Sequence, residues 1–208
     1  VNTLLWIVTV ILSLLVIVLS APYLTLNPEV YLDVQRRVYE LHTVGIVLHI
    51  VGGRVALALG PIGFLPTLRL KRPRWHRAVG RVYLLAVLLG GVAGLSMAMF
   101  AYMGVITGLG FALLACLWLY TGARAWLSLR RGNVQAHRRW MIRNYALTLG
   151  AVSLRVQLLI LSPWLDFDSS YVVVTWSSWP VTLALAEGYL RRSALNAAVM
   201  GKGGGERA

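Results

Sequence analysis

The chain has 208 residues, 58% of them hydrophobic and only 13% charged, which is too little polar surface to cover a water-soluble globule of this size. A formal net charge of +13 in such a chain points to anionic lipid headgroups as partners and away from nucleic acid. The single Cys116 excludes an intrachain disulfide or thiolate cage and, lying in an apolar run, reads as a buried, inert thiol.

Six apolar runs follow one another, at 3–20, 40–65, 82–102, 103–125, 140–162 and 171–190, each long enough to cross roughly 30 Å of hydrocarbon as a helix. Small residues follow the first run at Ser20 and Ala21, but no Lys or Arg precedes it, so an uncleaved first helix is expected. In the connection from 21 to 39, Asn27-Pro28-Glu29 is a helix-start signature, and Tyr31 and Tyr39 suit a short interfacial helix. The second run carries His42 and His49, seven residues apart and so on nearly one face, beside Gly45, Gly52 and Gly53. At most one of these histidines is expected to bind an iron axially, with His49 preferred as the deeper. A copper site combining His42 or His49 with Met97 or Met99 is a weaker alternative.

The turn from 66 to 82 holds Arg69, Lys71, Arg72, Arg74, Arg77 and Arg81, and that from 124 to 143 holds Arg124, Arg130, Arg131, Arg138, Arg139 and Arg143. With Arg191, Arg192, Lys202 and Arg207, sixteen of the twenty basic residues fall on one side, which the positive-inside rule makes cytoplasmic. Both ends of the chain are then cytoplasmic in a bacterial inner membrane, and residues 194–208, rich in glycine, form a flexible tail after a 1–193 membrane domain. Gly90 with Gly94, and Gly104 with Gly108, are expected where helices approach closely. Arg54 and Glu187 share a depth and are expected to pair, whereas Arg155 has no acid in its layer and suits an anionic or carbonyl-bearing ligand such as a propionate or quinone. Trp176-Ser177-Ser178-Trp179-Pro180 predicts a kink in the last span.

The two basic turns resemble each other. Leu68-Arg69-Leu70-Lys71-Arg72-Pro73, His76-Arg77 and Arg81-x-Tyr83 recur as Leu127-Ser128-Leu129-Arg130-Arg131-Gly132, His137-Arg138 and Arg143-x-Tyr145. The fold expected is thus an all-α, six-transmembrane-helix bundle with a pseudo-two-fold repeat of helices 2–3 and 4–5, which sets His76 and His137 at equivalent depths. Two imidazoles facing one axis suit axial ligation of haem iron, with Arg77, Arg81, Arg138 and Arg143 for the propionates.

The segments His49-Ile50-Val51-Gly52-Gly53-Arg54, Gly60-Pro61-Ile62-Gly63-Phe64-Leu65-Pro66, His76-Arg77-x-x-Gly80-Arg81-x-Tyr83 and His137-Arg138-x-Trp140-Met141-Ile142-Arg143 resemble domain-of-unknown-function family 2306, predicted membrane proteins of bacteria. That group in turn resembles four-helix transmembrane cytochromes b, which implies one haem pair at His76 and His137 and leaves the outer pair unmatched, since His42 and His49 share a helix. The leading expectation is a membrane redox protein with b-type haem, exchanging electrons with quinone or a partner oxidoreductase. A cofactor-free accessory or assembly subunit of a larger respiratory or photosynthetic complex is the alternative, and a transporter or lipid-modifying enzyme ranks third. No glycine loop supports nucleotide chemistry.

Overall fold

A computed structural model describes the backbone of residues 3–205 and the side chains of residues 3–196. The described chain is helical with no strand. Helix α1 is Thr3–Leu19, followed by 3-10 turns at Pro22–Thr25 and Pro28–Val30 and by α2, Arg36–Leu41. Then come α3 (Thr43–Gly63), α4 (Pro66–Lys71), α5 (Pro73–Ala98) and α6 (Val105–Arg130). The last three are α7 (Val134–Thr148), α8 (Gly150–Leu161) and α9 (Phe167–Gly205).

Among the described residues, five segments are long and apolar enough to cross a membrane: Thr3–Thr25, Thr43–Gly63, Pro73–Ala98, Val105–Arg130 and Val134–Leu161. The sixth expected run, 171–190, lies inside α9, where the serines, Pro180 and Glu187 dilute the apolar residues, and is not among the five. The backbone of α9 runs on to Gly205, and the expected flexible tail lies largely outside the residues whose side chains are described. Asn27 does cap, its Oδ1 accepting the Glu29 N–H at 3.0 Å, but it starts only a 3-10 turn, and the short helix begins at Arg36.

The pattern of exposure is that of a protein dissolved in lipid. Leu85, Leu88 and Val92 of α5 and Ile106 and Leu109 of α6 are exposed, whereas Thr107, Asn144 and Thr175 are fully buried. Apolar side chains on the outside cost nothing against acyl chains, while polar ones gain only by facing one another. Cys116 follows the first group: it is exposed on α6 rather than buried, because its face of the helix looks outward.

Packing is closest between α3 and α5. A Cβ on Gly52 would stand 2.6 Å from the Gly90 Cα and 2.7 Å from the Ala86 carbonyl oxygen, so the two backbones touch there. Gly94 serves differently, leaving room for the His49 ring. Gly104 is not a packing residue; with φ at +67° it supplies the left-handed backbone that starts α6.

Inside the half nearer the basic turns, five side chains from three helices form a closed hydrogen-bond set. The Tyr83 hydroxyl donates to Asn144 Oδ1 at 2.8 Å and lies 3.1 Å from Thr148 Oγ1. Asn144 Nδ2 donates to the Trp118 carbonyl at 2.7 Å and to Thr121 Oγ1 at 2.8 Å, and Trp118 Nε1 donates to Thr148 Oγ1 at 2.9 Å. A buried amide in lipid is tolerable only when its donors and acceptor are all used, as they are here. Beyond this set the fifth span breaks at Leu149. Before the break α7 packs on α6, α9 and α3; after it α8 packs chiefly on α9 and α1.

Candidate functional site

At the basic end, His76 and His137 are each the fourth residue of their helices, α5 and α7. Equal register at the start of two spans places both about 4.5 Å along their helices. The two imidazoles lie within electrostatic reach of one another, with Arg69 and Arg77 beside His76. His137 Nδ1 is 2.9 Å from the Ala125 carbonyl of α6, which can only accept, so Nδ1 carries a proton, and Nε2 has no hydrogen-bond partner among the described residues. His76 Nδ1 is buried with no hydrogen-bond partner among the described residues. One turn on, Gly80 has nothing within 4 Å of where a Cβ would stand, so there is space along that face.

The arginines of this end divide. Arg77, Arg81 and Arg138 are exposed, but Arg143 is engaged: its Nε lies 2.5 Å from Glu187 Oε1 and its Nη2 3.0 Å from Oε2. The expected partner of Glu187, Arg54, instead has Nη1 buried with no partner among the described residues. Arg143 lies six residues beyond His137 in α7, on the face toward α9, which brings it to Glu187. Trp140 sits between two guanidiniums, with Arg143 Cζ 4.8 Å and Arg124 Cζ 4.9 Å from its ring centroid. Because both partners of the ion pair keep some exposure, 24% and 35% of their side-chain surface, the pair contributes about 1 kcal/mol or less. A double-mutant cycle with Arg143→Gln and Glu187→Gln, followed by thermal unfolding in detergent, is expected to return a coupling of that size. A coupling of zero would show the two groups to be independent.

At the opposite end, His42 and His49 are separated. His42 stacks on Phe100, with centroids 4.0 Å apart, and lines a cavity of about 400 Å³ with Glu40, Gly45, Ser96 and Met97. His49 lies between α3 and α5, its Nδ1 3.0 Å from the Gly90 carbonyl oxygen. Met99 is 75% exposed and is not part of that cavity wall. No three His, Cys, Asp or Glu side chains among the described residues are grouped to hold a metal ion.

Arg155, on α8, donates from Nη1 to the Ala151 carbonyl at 2.8 Å and makes no ion pair among the described residues. It lies within electrostatic reach of His49, Tyr23 and Tyr39. The rings of Tyr23, Tyr31 and Tyr39 pack together, with centroids 5.5 to 6.2 Å apart. The Tyr39 hydroxyl donates to Gln35 Oε1, and the Gln35 side chain also bonds Tyr171. Burial pushes the Tyr39 phenol well above its ordinary value, with Tyr171 and Tyr23 adding to the effect, so it stays protonated and remains a donor. Next to this cluster Asp166 caps α9, accepting from the Ser169 N–H at 2.7 Å and its hydroxyl at 3.0 Å, which holds its carboxyl below the usual range.

Sequence reasoning singled out His76, His137, His49 and Arg155 but missed the company they keep. Asn144 inside an apolar run, with Thr148 four residues on, was the available signal for the buried network. Gln35 and Tyr39 are four residues apart and meet locally, but nothing local linked them to Tyr171, which joins them only through the fold.

A bundle of apolar helices with polar side chains turned inward is a polytopic helical membrane protein, embedded in and contacting the bilayer. Residues 46–190 match the family described as Predicted membrane protein (DUF2306), and the chain belongs to that family. No curated protein and no solved structure matches it.

Proposed function

We propose that this chain is a membrane redox protein that holds b-type haem at the basic end of the bundle between His76 and His137. The supporting observation is their pairing: the same register on two helices, mutual electrostatic reach, and a ring nitrogen in each without a protein partner. The Ala125 carbonyl orients His137 as outer-shell acceptors orient metal-binding imidazoles. When bound, haem supplies a one-electron couple. Arg77, Arg81 and Arg138 remain free to meet propionates, and the Tyr83–Asn144–Thr148–Trp118 set closes the core beyond, keeping the cofactor at the basic mouth.

In this reading α9 supplies a sixth span, α3–α5 and α6–α7 are copies of one unit, and the basic end faces the cytoplasm of a bacterial inner membrane. Residues 1–193 form the membrane domain and 194–208 a tail. The electron partner is quinone or a second oxidoreductase. The test is an oxidised and reduced visible spectrum of gently purified protein expressed with ample haem. A Soret band lost in both His76→Ala and His137→Ala is expected. A colourless protein that co-purifies with a larger membrane complex would instead favour the accessory-subunit reading.

A further inference from the structure

We propose that the groove between α7 and α9 at the basic end binds the head group of an anionic phospholipid, with Arg138 and Arg139 as its phosphate anchors. A cavity of about 160 Å³ lies there, walled on one side by Gln135, Arg138, Arg139 and Ile142 of α7 and on the other by Tyr189 and Ser193 of α9. The four residues of α7 follow the i, i+3, i+4, i+7 spacing of a single helix face, so the wall is set by two packed helices and not by a loop. They also open the span Val134–Leu161, which puts the cavity at the membrane surface, where lipid phosphates lie.

The lining selects for an anion. Arg138 and Arg139 are exposed and make no ion pair among the described residues. The wall holds no carboxylate, and Glu187, about one turn deeper on α9, is already held by Arg143 through both of its oxygens. Two adjacent guanidiniums repel each other and present forked donors that match phosphate oxygens. The Gln135 amide and the Tyr189 and Ser193 hydroxyls can bond the ester oxygens or a glycerol hydroxyl beside them. A choline head group would bring its ammonium to two guanidiniums with no carboxylate to receive it. The site therefore favours a head group whose only charge is the phosphate, such as that of phosphatidylglycerol. Deeper in the membrane, Tyr189, Leu185 and Val181 form an exposed stripe along α9 at four-residue spacing, continuous with the cavity wall. Acyl chains attached to the bound phosphate would lie on that stripe, which points to a lipid and not to a free phosphate.

The site needs the packing of α7 on α9 and not haem, so the two proposals fail separately. With both groups bound, Arg138 serves the phosphate, and Arg77 and Arg81 remain for the propionates. Full-length protein in a neutral detergent is titrated with phosphatidylglycerol or phosphatidylcholine of the same acyl chains, and bound lipid is counted by native mass spectrometry. A saturable phosphatidylglycerol adduct is expected, tighter than that of phosphatidylcholine and weakened about tenfold or more in Arg138→Gln/Arg139→Gln, which removes the charge-assisted hydrogen bonds. Ser193→Asp, at an exposed position, sets a carboxylate in the wall and is expected to weaken it too, with the melting temperature in lipid-free detergent unchanged. Arg130→Gln/Arg131→Gln takes the same charge from the neighbouring turn outside the cavity and is expected to bind like the wild type. Equal weakening by the two double variants overturns the proposal, since a basic surface without a site would behave so. Equal uptake of the two lipids also overturns it, as does displacement of phosphatidylglycerol by an equal concentration of inorganic phosphate, which would make the ligand a free phosphate. A retained phosphatidylglycerol site in protein without a Soret band upholds this inference and counts against the haem.

Discussion

Asn144→Leu is expected to lower the stability of the folded bundle by roughly 2–3 kcal/mol, from three interhelical hydrogen bonds each contributing about 0.6–1 kcal/mol in a membrane. Asn144 is 0% exposed and is the residue through which α5, α6 and α7 share one set of hydrogen bonds. Leucine has a similar volume, so the change deletes polarity without leaving a large cavity. The neighbours are not equally harmed. Tyr83 can turn its proton to Thr148, 3.1 Å away, and Thr121 already donates to the Leu117 carbonyl at 2.8 Å. That redundancy keeps the expected cost below the sum of three orphaned groups. Tyr83→Phe, which removes one hydroxyl and keeps the ring, is expected to cost about 1 kcal/mol. Thermal unfolding of both variants in one detergent checks the order, and Tyr83→Phe proving the worse would place the weight of the network on α5 rather than on Asn144.

The membrane class and most of the spans were legible because they depend on composition and run length. The boundary of the last span was not, since Trp176-Ser177-Ser178-Trp179-Pro180 and Glu187 mix apolar and polar residues in one helix, and hydropathy averages over them. The basic turns were legible for the same local reason: the repeated Leu-x-Leu and His-Arg patterns are short and contiguous, and they place His76 and His137 at the same position of α5 and α7.

Pairings across helices were a different matter. Counting residues inward gave Arg54 and Glu187 a common depth, but depth does not give the angle around a helix. The angle turns Glu187 to Arg143 and leaves Arg54 elsewhere. Likewise counting leaves Arg155 without an acid, but it cannot show that Tyr23 and Tyr39, from the connection after α1, come within electrostatic reach of it. Spacing along one chain predicts which residues share a face; which faces meet is decided by close packing, and here by glycines.

Gly52→Ala makes that dependence measurable, with an expected loss of about 3 kcal/mol, at the upper end for an overpacked position. The new methyl would meet backbone atoms, the Gly90 Cα at 2.6 Å and the Ala86 carbonyl oxygen at 2.7 Å, and backbone cannot rotate aside as a side chain can. α3 and α5 must therefore separate by the better part of an ångström. The His49 Nδ1 to Gly90 oxygen distance, now 3.0 Å, would then pass the range of a good hydrogen bond. The melting temperature should fall, because this one contact sets the spacing of α3 and α5 and with it the bond between His49 and Gly90. The adjacent residue is the control. A Cβ on Gly53 has nothing within 4 Å, so Gly53→Ala is expected to melt like the wild type or slightly higher, alanine being the better helix former by about 1 kcal/mol. If the two variants melt alike, the α3–α5 contact at Gly52 is not what holds these helices at their observed separation.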